Sequence, residues 1–148
     1  MRAVIQRVSS AQVDIESKTH SRIERGLLVL LAVSQEDTIQ DAFKIAKKIS
    51  EMRIFSNQDG KFDYSVKDLK GEILLVSQFT LYGDASKGRR PDFTKAAGHK
   101  KAKELYEKTK EALQEQGLSV KTGVFAAQML VRLENEGPVT IIYDTKQE

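Results

Sequence analysis

Residues 26–33 read GLLVLLAV. A run this short, apolar at every position, fits a central β-strand covered on both faces. A second such stretch, EILLVSQFTLYG (residues 72–83), reads as one strand from Glu72 to Gly83, with Ser77, Gln78 and Thr80 interrupting its apolar residues. Between the two, the period changes. Ile39, Ala42, Phe43, Ala46, Ile49 and Met52 recur at three- and four-residue spacing, while Asp41, Lys44, Lys48 and Glu51 occupy the other face. That spacing predicts an amphipathic helix over residues 37–52.

Working outward, MRAVIQRV and AQVDIE each alternate, with Val4, Val13 and Ile15 expected to point inward. The Ser9-Ser10 pair between them predicts a hairpin or a bulge. MRIFSNQDGKF gives a short strand and a turn at Asp59-Gly60. A second helix is expected from His99 to just before Gly117, with Ala102, Leu105, Tyr106, Thr109 and Leu113 as its apolar stripe. LSVKTGVF, QMLVRLE and PVTIIYD predict three closing strands, the last two parted by Asn135-Glu136-Gly137-Pro138. About seven strands and two helices make an α/β class domain. Two helices cannot cover both faces of a doubly wound sheet, so mixed β-sheets in stacked layers with the helices on one outer face are expected. No repeat, linker or low-complexity segment divides residues 1–148.

Composition narrows the chemistry. Hydrophobic residues make up 40% and charged residues 30%, the profile of a globular chain. No apolar run approaches the ~20 residues that a membrane helix requires, so no membrane association is expected. Cysteine is absent, which excludes disulfides, thiolate nucleophiles and cysteine-based zinc sites and makes a cytoplasmic setting the default expectation. His20 and His99 are the only histidines, both in polar surroundings, so a braced Ser-His-Asp arrangement is not indicated. HExxH, EF-hand, GxGxxG and P-loop patterns are missing as well, and neither a metal nor a cofactor is expected. Hydroxyls, amides and backbone groups remain as tools.

Three features stand open on the residues alone. Ser77 and Thr80 either satisfy local backbone groups, with Gln78 facing solvent, or converge on a site, since an unpaired buried hydroxyl costs about 1–3 kcal/mol. The formal net charge of +3 is mild, but SKGRRPDF gathers Lys87, Arg89 and Arg90 around a glycine in a loop suited to an anion. The nearby HKKAK reads as a solvated helix start or as a secondary basic patch. Gly137-Pro138 is either ordinary punctuation between strands or a backbone device.

Taken together, VSQFTLYGD, KGRRPDF, TGVFAAQM and NEGPVT, in this order and with MRAVIQRV, GLLVLL and RIF before them, closely resemble the D-aminoacyl-tRNA deacylase family over almost the whole chain. The resemblance implies a homodimeric hydrolase with a β/β/α-layered fold. Such an enzyme cleaves the ester between a D-amino acid and the 3′-terminal ribose of tRNA, a chiral proofreading step in translation, and accepts mischarged glycyl-tRNA. It implies that Ser77, Gln78, Phe79, Thr80 and Leu81 form one wall of the pocket. Phe125, Ala126 and Met129 match the stretch near the terminal adenosine. Gly137 and Pro138 match a dipeptide held in cis and inserted into the partner subunit's pocket. Lys87, Arg89 and Arg90 are then the expected tRNA contacts. Thr80 is a nucleophile or a positioning group. A non-catalytic, homodimeric RNA- or DNA-binding module is the alternative that a basic loop on a β-rich domain also suits.

Overall fold

The computed structural model describes residues 1–147. Its elements are β1 (Arg2–Ile15), β2 (Lys18–Ile23), β3 (Gly26–Ala32), α1 (Ile39–Glu51), β4 (Phe55–Ser56), β5 (Phe62–Tyr64), β6 (Glu72–Ser77), a 3₁₀ turn (Phe79–Tyr82), α2 (His99–Glu115), β7 (Ser119–Thr122) and β8 (Leu130–Asp144). Six strands form one mixed sheet in the order β2-β1-β3-β6-β7, with β8 on the other side of β1, while β4 and β5 form a separate hairpin. β3, β6 and β7 run parallel. Every other pairing is antiparallel.

The apolar runs of β3 and β6 are buried on both faces, as their sequences require. On one face Leu27, Val29, Leu31, Ile73 and Leu75 pack with Ala3 and Ile5 against α1 and α2. On the other, Leu28, Leu74 and Val76 meet Val8, Ala11, Val13 and Ile23, and no helix residue joins this second core. It is closed instead by the sheet curling back on itself. Ser21 Oγ of β2 donates to Thr122 O of β7 at 2.8 Å, and Lys121 Nζ donates to Arg22 O at 2.7 Å, although three strands separate β2 from β7 in the sheet. The β/β/α layering therefore comes from one nearly closed sheet with both helices outside it.

β1 shows how this is achieved. Ala3 and Ile5 face the helices, whereas Val8, Ala11 and Val13 all face the inner core, so the strand changes parity between residues 8 and 11. A register shift against β8 between Val8 and Ser10 supplies the extra residue. The Ser9-Ser10 pair is thus a bulge inside one continuous strand and not a hairpin. Val4, expected to point inward, lies on the opposite side from Ala3 and Ile5 and is only partly buried.

Two further expectations change. The face of α1 is rotated: Asp41 is buried, while Ile39 and Phe43 of the expected apolar stripe are 41% and 45% exposed. Asp41 can be buried because Thr38 N–H (2.8 Å), the Thr145 hydroxyl (2.7 Å) and Lys146 Nζ (3.0 Å) all donate to it. Burial by itself would raise its pKa. These bonds outweigh that and hold the carboxyl below the usual carboxylate range. The closing segment, expected as two strands, is one strand of 15 residues that pairs with β1 throughout its length. Opposite Arg7, between the Gln6–Thr140 and Val8–Asn135 pairs, β8 carries the four residues 136–139, so Gly137-Pro138 lies in an excursion from a strand that does not reverse.

Packing at the start of the parallel pair is tight. A Cβ on Gly26 would stand 1.9 Å from Glu72 O, on backbone that cannot yield without breaking the β3–β6 ladder. Gly26→Ala is expected to lower stability by about 1–3 kcal/mol or more, read as a fall in the denaturant midpoint.

Candidate active site

The polar motif sits where the parallel ladder stops. Leu31 pairs with Ser77, and the Gln78 amide makes one more bond, to Leu31 O at 2.8 Å. With β3 at an end, the chain leaves the sheet and winds into the 3₁₀ turn, so the strand expected to reach Gly83 ends at Ser77. In the turn Leu81 N–H bonds Gln78 O (3.2 Å) and Gly83 N–H bonds Thr80 O (2.9 Å). The amides of Phe79 and Thr80 open the turn, where main-chain donors have no partner within it. Gln78 Nε2 donates to the Thr80 hydroxyl. From the far side Arg2 donates from Nη1 to Leu81 O at 2.9 Å and from Nε to Asp144 at 3.0 Å, and its guanidinium lies over the Tyr82 ring. The turn is therefore fixed at both ends.

Beside it lies a cavity of about 460 Å³. Ala32, Val33 and Val76 line it from the sheet, and Ser77, Gln78 and Phe79 make one wall. Phe125, Ala126, Ala127 and Met129, from the segment joining β7 to β8, line it too, with His99 and Ala102 of α2. Phe125 packs edge-on with His99 (centroids 5.1 Å) and tilted against Tyr106 (5.7 Å). Tyr106 in turn donates to Leu75 O at 2.8 Å, and burial pushes its phenol pKa up, so it stays protonated. Ala126 sits at φ +62°, which lifts its segment into a tight turn.

Six expected residues thus share one cavity: Ser77, Gln78, Phe79, Phe125, Ala126 and Met129. Thr80 is adjacent, exposed on the 3₁₀ turn. His99 and Ala102 were missed as cavity residues. His99 reads as part of a solvated helix start, and only its proximity to Phe125 in space gives it away. Among the described residues, no cluster of metal-ligating side chains is found.

Lys87, Arg89 and Arg90 are exposed in the loop that Asp84 and Asp92 close by reciprocal main-chain bonds of 2.8 and 2.9 Å. The Ser86 bonds to Asp84 and the Thr94 bonds to Asp92 hold both carboxyls below their ordinary range. Phe93, just past the loop, packs edge-on against Phe79 at 5.2 Å, which couples the loop to the cavity wall.

Gly137 and Pro138 do not join this cavity in their own chain. Both are exposed, and their peptide bond is cis. The Arg7 guanidinium holds the excursion, donating to Glu136 O (2.9 Å) and Ile54 O (2.8 Å). Asn135 ties its two ends, accepting from Val139 N–H at 2.7 Å and donating to Val139 O at 3.2 Å. Gly137 has φ +139°, and a Cβ there would meet Val139 Cγ2 at 2.7 Å and Arg7 Nη2 at 3.1 Å. Only glycine suits the position.

Comparison with known proteins shows the family. The family model described as D-Tyr-tRNA(Tyr) deacylase matches residues 4–144. D-aminoacyl-tRNA deacylases from Thermotoga petrophila and Aquifex aeolicus are 54% and 53% identical over 147 residues, covering 99% of this chain and of each relative. Among solved structures, the c-Myc DNA Unwinding Element Binding Protein superposes with a TM-score of 0.92 at 40% identity, covering 99% of this chain and 100% of that one. The chain belongs to the D-aminoacyl-tRNA deacylase family, hydrolases named for their action on the aminoacyl-tRNA ester.

Proposed function

We propose that the cavity binds the 3′ end of D-aminoacyl-tRNA and that hydrolysis there is assisted by the substrate. One observation carries this reading: an exposed turn with free amides borders the cavity, and among the described residues no base bonds its hydroxyl. Thr80 Oγ accepts from Gln78 and, among the described residues, has no hydrogen bond to a histidine or a carboxylate to activate it as a nucleophile. Thr80 and Gln78 then position the substrate, and Ser77 lines the same wall. The amides of Phe79 and Thr80 are aimed at the oxyanion of the tetrahedral intermediate. The terminal ribose 2′-OH activates the attacking water, and the base of the terminal adenosine lies toward Phe125, Ala126 and Met129.

Chirality is set across a homodimer. Gly137-Pro138 is exposed, held by Arg7 and Asn135, and lines no part of its own cavity, which suits insertion into that of a second copy. Leu130, Leu133 and Ile142 on the same strand are exposed at 53%, 37% and 70%, apolar surface that a second copy would cover. Fixed carbonyls there would accept hydrogen bonds from the substrate's amino group. An L side chain would run into the backbone, and a D side chain would leave toward solvent. Glycine has no side chain to reject, so glycyl-tRNA is a further substrate. A cytoplasmic setting follows from a tRNA substrate.

The 40% identical solved relative is named for binding a DNA-unwinding element, so a nucleic-acid-binding module is the second reading. Hydrolysis of D-tyrosyl-tRNA with L-tyrosyl-tRNA as control separates the two. Rapid loss of the D ester alone is expected, and equal stability of both esters would favour the module.

Thr80→Ala is expected to slow this hydrolysis by about tenfold or less, whereas a covalent route would lose at least ~10³-fold. A substrate ending in 2′-deoxyadenosine, with the ester at 3′, is expected to bind and be cleaved slowly; rapid cleavage would remove the ribose from the mechanism. Lys87, Arg89 and Arg90 are the proposed phosphate contacts. Replacing all three with Ala is expected to flatten the slope of log kcat/KM against log salt by roughly 2, at about 0.7 per contact.

A further inference from the structure

We propose that the groove between the starts of α1 and α2 receives the nucleotide immediately upstream of the terminal adenosine, making it a second subsite for the tRNA 3′ strand. This rests on the deacylase reading above. The groove measures about 680 Å³ and adjoins the cavity through a shared residue, His99, which lines both.

The direction of the bound strand follows from the two ends of the cavity. The ester belongs at the Ser77–Phe79 wall, beside the amides of the turn. The adenosine belongs at the Phe125 end, where the His99 ring stands edge-on to Phe125 at 5.1 Å. A chain leaving the adenosine on its 5′ side therefore crosses His99 and enters the groove. Lys87, Arg89 and Arg90 lie beyond the opposite end, past Phe79.

The groove has the chemistry of a nucleotide. Its apolar surface is Ile39, 41% exposed in the first turn of α1, with Leu105 buried behind it. This accounts for an isoleucine that helix periodicity expects inside: a base can lie on it. The opposite rim carries Lys100, exposed, and Lys101, whose ammonium donates to Gln35 O and so is anchored at the rim. A phosphate between base and adenosine would pass this rim. Two carboxylates face the groove. Asp37 is fully buried and already bonded to the Met1 ammonium and the Ser34 amide, each at 2.6 Å, which leaves Glu104 as the one exposed acid there among the described residues. Two ammonium groups against one free carboxylate favour an anion.

The test compares D-tyrosyl esters of adenosine, of the dinucleotide CpA and of full tRNA, with the full-length protein. Wild type is expected to gain about tenfold or more in kcat/KM from adenosine to CpA, since one stacked base and one phosphate contact are worth at least that. Lys100→Glu and Ile39→Asp are each expected to cut this gain at least about fivefold. Lys67→Glu, an exposed charge outside both sites, is expected to retain the full gain, and melting curves check the folding of every variant. No gain from the added cytidine, or a gain that survives both groove substitutions, would overturn the subsite. Loss of the gain on removal of Lys87, Arg89 and Arg90 instead would assign the upstream nucleotide to that loop. If wild type cleaves none of the three esters, the deacylase reading itself fails and the subsite with it.

Discussion

The site depends on where the parallel ladder between β3 and β6 runs out. Six paired positions hold the two buried strands together, and the Gln78–Leu31 bond extends that pairing by one residue. Past it the main chain has no partner strand, and a buried unpaired backbone group is costly. The chain therefore turns tightly and exposes amide donors at its first positions. A polar turn at the carboxyl end of buried parallel strands is where open α/β sheets place ligands. In this chain the Gln78–Leu31 bond at its start and the Arg2 guanidinium at its end hold that turn.

The proposed chirality filter hangs on a different constraint, the mismatch between β1 and β8. Arg7 alone faces four residues of β8. An excursion of that size would be floppy without internal bonds. Here a partly buried guanidinium and one asparagine bond its main-chain groups. The cavity is anchored in the sheet and the excursion protrudes from it, and within one copy the two stay apart.

The fold was legible in the sequence wherever burial is two-sided or strictly periodic. GLLVLLAV and EILLV could only be core strands, and the stripe Leu105, Tyr106, Thr109 and Leu113 placed α2 within a residue or two. Misreadings fall where a long-range partner overrides a local pattern. Asp41 reads as solvent-facing until Thr145 and Lys146, about a hundred residues away, arrive to bond it. Ser9-Ser10 reads as either a hairpin or a bulge, and Gly137-Pro138 as a break between two strands, because nothing local reveals that β1 and β8 pair on both sides of each. The site was legible in part. Of the cavity residues, Ser77 and Gln78 stood out as polar interruptions of an apolar strand, while Phe79, Phe125, Ala126 and Met129 came only through the resemblance of their motifs. His99 was invisible because its role is set by an aromatic neighbour 26 positions away in sequence.

The excursion at Gly137-Pro138 has a consequence for solubility as well. β8 is a long strand that, among the described residues, pairs with β1 alone, so its other edge could template further strands. Pro138 offers no N–H to such a ladder, and residues 136–139 break its register midway, so a foreign strand cannot zip along the full length. At the opposite margins of the sheet, Arg22 O and Thr122 O are already taken by Lys121 and Ser21. The curled sheet thus leaves few free main-chain groups in a row, and the chain is guarded against edge-to-edge aggregation by the same backbone irregularity that carries its proposed selectivity.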